Sequence, residues 1–264
     1  MKKILAAVVI ILVLSVLAAG CGQTTGHTAA GVRQQEITVS AGVGLKDALK
    51  KIQADYEKAH PQVKIIYNLG ASGALQQQIE QGAPVDLFVS AGTAQMDRLA
   101  AEKLIDPATR VNLLRNELVL VTPLNGPRIR NLSDLAGPAV KRIGLGLPQT
   151  VPAGKYAEET LRTSKLWDKL KPKLVMANDV RQVLTWAETG NIDAGFVYHS
   201  DAITTGKVKV ALAVPNNLHK PITFSAAIIK NAPHKAAARE FLNYLESPQG
   251  MKVFAQCGFK PGGN

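Results

Sequence analysis

From Glu36 onward the chain switches between two periodicities. Glu36–Ala41 (EITVSA) places apolar side chains at every second position, as a strand with one buried face does. Leu45, Ala48, Leu49, Ile52, Tyr56 and Ala59 then recur at helical spacing, and Pro61 ends that helix. Val63–Tyr67 reads as a second strand. Ser72 stands before Ala74, Leu75 and Ile79 as an N-cap should. Leu87–Ser90 is a third strand, followed by a helix around Thr93–Lys103. Leu118–Thr122 is a fourth, stopped by Pro123. The pattern then starts again, with strands at Ile143–Leu145, Leu174–Met176 and Ala194–Tyr198. Helices at Ala153–Thr163 and Val180–Glu188 lie between them. Strands Val208–Val214 and Phe224–Ile229 lead to final helices at Lys235–Leu245 and Pro248–Gln256.

Two successive β-α-β series predict an α/β protein of two lobes. No long linker separates them. Short crossing strands near 118–123 and 210–224 would form a two-strand hinge, suited to closure around a ligand. The expected division is 36–119 plus 224–264 for lobe 1 and 120–223 for lobe 2.

The first residues do not belong to that pattern. Lys2 and Lys3 precede an apolar run, Ile4–Ala19, broken only by Ser15. At 16 residues it is short for a membrane span, which needs about 20. It ends Leu17-Ala18-Ala19-Gly20-Cys21, small residues before a cysteine. A basic start, an apolar stretch and small residues at the end make a secretory signal. The last five resemble a lipobox, which implies cleavage before Cys21 and lipid on its thiol. Residues 1–20 are then the signal and 21–35 the lipidated cysteine with a flexible tether, since Gly22–Gln35 offers almost nothing to bury.

Composition narrows the function. The chain has 264 residues with a net charge of +11. Removing the signal removes two lysines, so the exported form carries 29 − 20 = +9. Basic residues are scattered and aromatics are 5% of the chain, which gives little stacking surface for nucleic acid. Cys257 is the only thiol left after Cys21. The five histidines form no HxxxH or HExxH arrangement and there is no CxxC, so a zinc site is not indicated. Gly70-Ala71-Ser72-Gly73-Ala74 lacks the last glycine of a nucleophile elbow. Gly144-Leu145-Gly146 lacks the third glycine of a dinucleotide fingerprint.

What recurs is a strand ending in small residues at a helix start. Val43-Gly44, Ala71-Ser72-Gly73, Thr150-Val151-Pro152-Ala153-Gly154 and Asn178-Asp179-Val180 are four such places. Each offers free backbone N–H groups and the positive end of a helix dipole. Four aimed at one cleft would bind an anion without a cation. Asp179 stands beside one of them, where its carboxylate can turn back to cap its own helix, with Arg181 nearby.

Four stretches carry a family resemblance. Gln78–Ala91 (QIEQGAPVDLFVSA), Thr150–Ala157 (TVPAGKYA), Asn178–Arg181 (NDVR) and Gly195–Ala202 (GFVYHSDA) resemble motifs of the molybdate-binding proteins of molybdate ABC transporters. In order and spacing they cover nearly the whole exported chain, from about Glu36 to Gly258. The resemblance implies a two-lobed periplasmic-binding-protein fold with an anion cleft between the lobes. It implies no enzymatic activity and no cofactor. The implied ligand is molybdate or tungstate, its molybdenum held as an oxyanion with no direct metal ligation. Carried over by motif, Ser72 gives N–H and hydroxyl, Ala153 and Val180 give backbone N–H, and Tyr198 gives its hydroxyl. A first-turn serine of the family is Gly44 here, which keeps the N–H and loses the hydroxyl. Ser40 lies inside the strand and does not replace it. The implied partners are an ABC permease and, through the lipid, a membrane; nucleic acid is not one, and the protein is a monomer. Two other readings stand beside this one. Gly44 could mark a receptor for sulfate or another tetrahedral oxyanion. An exported serine hydrolase would need a histidine within hydrogen-bond reach of Ser72.

Overall fold

The computed structural model describes residues 34–263. The signal segment, Cys21 and most of the tether lie outside the described residues. Two sheets organise the rest. In the first the strand order is β11-β4-β10-β3-β1-β2, formed by β1 (Gln35–Gly42), β2 (Val63–Gly70), β3 (Leu87–Ser90), β4 (Val111–Arg115), β10 (Thr223–Ile228) and β11 (Lys260–Pro261). The second runs β7-β6-β8-β5-β9, from β5 (Leu118–Pro123), β6 (Ile143–Gly146), β7 (Leu174–Ala177), β8 (Ala194–Tyr198) and β9 (Val208–Ala213).

Both sheets share one design. β1 lies parallel to β2 and β3, and β6 lies parallel to β7 and β8. Each parallel strand feeds a helix at its C-terminal end. In the first sheet these are α1 (Lys46–Ala59), entered through a 3-10 turn at Val43–Leu45, α2 (Ser72–Glu80) and α3 (Thr93–Ala101). In the second they are α4 (Pro152–Thr163), α6 (Val180–Glu188) and the single turn α7 (His199–Ala202). A short helix α5 (Trp167–Leu170) follows α4, and α8 (Lys235–Glu246) and α9 (Pro248–Gln256) close the chain. Ligand crevices of open α/β sheets form at the carboxyl ends of such strands, where successive connections diverge. Strands β3 and β8 are buried along their whole length, Leu87–Ser90 and Ala194–Tyr198, as expected for strands covered on both faces.

The chain passes from the first sheet to the second at Asn116–Glu117 and returns across 214–222. These segments lie side by side: Asn116 N donates to Ile222 O at 3.2 Å and Val214 N to Leu118 O at 3.0 Å. Antiparallel β5, β9, β10 and β4 therefore carry the crossings, with β4 an element that the sequence pattern did not reveal. Ser72 differs from its expected role. Ala71 is the N-cap residue and Ser72 is the first helical one, with its side chain turned elsewhere. Among the described residues no helix is long and apolar enough to cross a membrane.

Candidate functional site

Besides that of α3, three of the helix starts that end the parallel strands have no side-chain cap. The turn at Val43–Leu45 begins after Gly42, α2 after Ala71 and α4 after Val151, none of which offers a side-chain acceptor. The first N–H groups of a helix have no partner within it. At α4 the first position is Pro152, which has no N–H to leave over, so Ala153 is the first residue that can donate. The start of α6 is capped: Asp179 Oδ1 accepts from Gln182 N at 2.9 Å. That carboxylate is turned back into its own helix, and Val180, ahead of Gln182, keeps its N–H outside the cap.

These starts meet at one small cavity. Gly44, Ser72, Ala153, Val180 and Tyr198 all line it, together with Gly42, Ala91, Pro152 and their neighbours, and every lining residue is uncharged. Its volume is about 10 Å³ for the centre of a water-sized group. Gly44, Ser72 and Ala91 come from the lobe built on the first sheet. Ala153, Val180 and Tyr198 come from the other.

The Ala91 peptide is held from both sides. Its N–H donates to Ser72 Oγ at 2.9 Å, which leaves the Ser72 hydroxyl hydrogen free to donate. Its carbonyl accepts from Tyr198 Oη at 3.0 Å, a bond between lobes. Burial holds the Tyr198 phenol well above its ordinary range, so it remains a proton donor at neutral pH. Gly73 N donates to Thr150 O at 2.8 Å, a second bond between lobes. Gly73 must be glycine for that approach: a Cβ there would stand 2.7 Å from the Thr150 backbone. Ser72 Oγ is thus bonded to a backbone amide and not to a histidine, which removes the geometry a serine hydrolase needs.

Around the cavity runs a charged network. Arg181 Nη2 donates to Asp47 Oδ2 at 2.6 Å, and Nη1 to Thr204 Oγ1 at 3.3 Å. Nε lies 2.8 Å from Asp201 Oδ1, close enough for an ion pair although its N–H is not aimed at that oxygen. Asp201 is fully buried and its Oδ2 accepts from Tyr198 N at 3.3 Å. Burial pushes the Asp201 carboxyl up to about 7, against the opposing pull of Arg181. A Cβ at Gly44 would stand 3.4 Å from Asp201 Oδ1, so this network lies directly behind the first-turn glycine.

The five residues expected from sequence are therefore brought together at one cavity. The partners Ala91 and Asp47, and the role of Asp201, were not foreseen. Ala91 and Asp201 do fall inside the recognised motifs, QIEQGAPVDLFVSA and GFVYHSDA, and that was the available signal. Cys257 is buried at the end of α9, with Lys51 Nζ at 3.8 Å, and does not line the cavity. Among the described residues no group of histidine, cysteine, aspartate and glutamate is arranged to hold a metal ion.

A cleft between two α/β lobes, lined by uncharged donors at helix starts, defines the class: residues 37–260 match the family of bacterial extracellular solute-binding proteins, and the chain belongs to that family. Its relatives are named more particularly. It is 43% identical, over 92% of this chain and 93% of the other, to a Bacillus subtilis (strain 168) protein named provisionally as the ABC transporter substrate-binding lipoprotein YvgL. It is 36% identical to the molybdate-binding protein ModA of Escherichia coli (strain K12), over 85% and 88% of the two chains. The solved periplasmic molybdate-binding protein of Azotobacter vinelandii superposes with a TM-score of 0.78 at 26% identity, covering 84% of this chain and 98% of that one. These relatives and neighbours are solute-binding proteins and not enzymes.

Proposed function

We propose that this protein is a lipid-anchored extracytoplasmic receptor that captures molybdate or tungstate between its lobes and delivers it to an ABC permease. The observation that carries the reading is the convergence of Gly44, Ser72, Ala153, Val180 and Tyr198 on one cavity without a charged lining residue. The names of the relatives support the ligand class, and the Cys21 context supports the anchor. A tetrahedral dianion accepts strong hydrogen bonds from fixed neutral donors. Each contributes about 1.5–3 kcal/mol net. A few of them, offset by lost freedom and lobe closure, give about micromolar or tighter binding.

Donors alone also select. Protonated phosphate brings a hydrogen that needs an acceptor, and the one described beside the donors is the Ala91 carbonyl that Tyr198 releases on loading, so phosphate is expected to bind more weakly than a fully ionised dianion. Sulfate has no such mismatch and is discriminated by size, since its oxygens do not reach all donors at once. Tungstate, close to molybdate in size, binds alike. The Tyr198 hydroxyl has one proton, so on loading it gives up the Ala91 carbonyl for the anion.

A thermal-shift series with molybdate, tungstate, sulfate and phosphate tests this. Ligand at a hundredfold excess over its dissociation constant stabilises by about 2.7 kcal/mol. Molybdate and tungstate are expected to raise the midpoint at micromolar concentration, and sulfate and phosphate only at far higher concentration. A shift with sulfate at the lowest concentration, and none with molybdate, would move the assignment to a sulfate receptor.

A further inference from the structure

Arg181 occupies a position that the anion site does not explain. It follows Val180 at the start of α6, yet its guanidinium does not line the anion cavity. It lines a neighbouring, larger cavity of about 230 Å³, with Lys46, Asp47, Glu188 and Thr204. Val43 is common to the two cavities, so the Arg181–Asp47 pair stands beside the anion site at one mouth of the cleft. Asp47 belongs to the first turn of α1 in one lobe, and Arg181 to α6 in the other. The same Nη2 also lies 3.5 Å from the Gly44 carbonyl. On its own side Arg181 is braced by buried Asp201 and by Thr204.

We propose that Arg181 and Asp47 form a latch between the lobes that slows release of the bound oxyanion without touching it. Arg181 is then a positioning residue: it holds the turn carrying Gly44 against the helix start carrying Val180. The inference rests on the reading of the cavity as the anion site.

The pairing geometry favours a latch over incidental surface charge. The Arg181 side chain is 20% exposed and Asp201 is 0% exposed, so the guanidinium is held before Asp47 meets it. An already ordered cation loses less side-chain freedom on pairing than two mobile surface groups do. A bond present when the lobes are together and broken when they part acts on the release rate. Association precedes its formation and is left nearly unchanged. Asp201 also braces the Tyr198 backbone, so the latch and the tyrosine start from the same carboxylate.

Asp47→Asn is the informative variant, because Asp47 is nearly half exposed and its removal leaves the buried Arg181–Asp201 pair intact. Wild-type and variant protein are loaded with radiolabelled molybdate and chased with excess unlabelled molybdate. Asp47→Asn is expected to release about three- to tenfold faster, the range open to one partly buried ion pair, with its association rate within about twofold of wild type. Asp47→Glu, which keeps the charge, is expected to release within about twofold of wild type. Wild-type release is expected to quicken with added salt and that of Asp47→Asn is not. A purely structural role for Asp47 would not produce that difference in salt response. Equal release rates for wild type and Asp47→Asn would overturn the latch. If wild-type protein takes up no molybdate, the reading of the anion site fails separately. The latch is then judged by small-angle scattering without ligand: a larger radius of gyration for Asp47→Asn supports it, and equal radii overturn it.

Discussion

Tyr198 has one phenolic proton and two groups that can use it. Ala91 O takes it at 3.0 Å, and in the proposed function the oxyanion competes for it. Tyr198→Phe keeps the ring against Phe224, 5.2 Å away between centroids, and removes the proton. The expected cost is at most about 3 kcal/mol of binding, up to roughly 150-fold in dissociation constant by calorimetry, because the bond lost to the oxyanion is partly offset by the Ala91 bond that the wild type gives up, in a protein that still folds. Unchanged affinity would leave Tyr198 with the Ala91 bond alone. Gly44 is the complementary case. A side chain there meets Asp201 Oδ1 at 3.4 Å and Tyr198 Cδ2 at 3.7 Å, ordinary contacts that need no backbone shift. Gly44→Ser is expected to fold and to bind molybdate equally or up to about tenfold tighter, the limit that one hydrogen bond sets. Loss of binding in a folded Gly44→Ser protein would show that the glycine is needed for space. At this scale the four helix starts were legible because they announce themselves in sequence, through small residues after a strand, a proline at the first helical position and an aspartate cap, whereas Tyr198 was legible only through the resemblance of the GFVYHSDA stretch. Their partners were not. Nothing local in the sequence ties Ser72 to the Ala91 amide or Arg181 to Asp47, because those bonds join positions 19 and 134 residues apart.

Among the elements, α2 carries the sharpest test. Gly73 sits in its first turn, where alanine would ordinarily stabilise a helix by about 0.5–1 kcal/mol. Across the cleft, however, the new Cβ would come within 2.7 Å of Thr150. Gly73→Ala is therefore expected to hold or raise the unfolding midpoint without ligand while weakening molybdate binding. Overpacking of about 1–3 kcal/mol corresponds to roughly 5- to 150-fold. Parallel thermal and calorimetric measurements would separate the two effects. If affinity is unchanged, the lobes do not need this approach in order to bind. Long elements with a clear period were legible: α1 with its buried Ala48, Leu49, Ile52 and Tyr56, and β1, β3 and β8 with their apolar runs. The elements that escaped are those whose existence depends on tertiary pairing. β4 is interrupted by Asn112 and is a strand because β10 and β11 flank it. β11 is two residues long and α7 four, too short for a period to register.

For the whole molecule, the two-lobed arrangement follows from the repeated β-α-β pattern, and the crossings near Asn116 and 214–222 follow from antiparallel strands joining the two sheets. The proposed receptor adds a location. Cys21→Ser is expected to shift the protein from the membrane fraction to a soluble or unprocessed form on cell fractionation, because the remaining tether carries no apolar anchor. Correctly cleaved Cys21→Ser protein that stays with the membrane would contradict the lipid anchor.

The central claim is that a tetrahedral molybdenum oxyanion is held by neutral donors alone, without ligation of the metal. X-ray absorption at the molybdenum edge of the loaded protein addresses it most directly, because it reports the ligand shell itself. Uncharged lining residues and the absence of a metal-holding cluster among the described residues lead to one expectation: four short molybdenum–oxygen bonds, unchanged from free molybdate, and no further ligand. A shell expanded toward six ligands, with oxygen from a carboxylate or nitrogen from a histidine, would contradict the account.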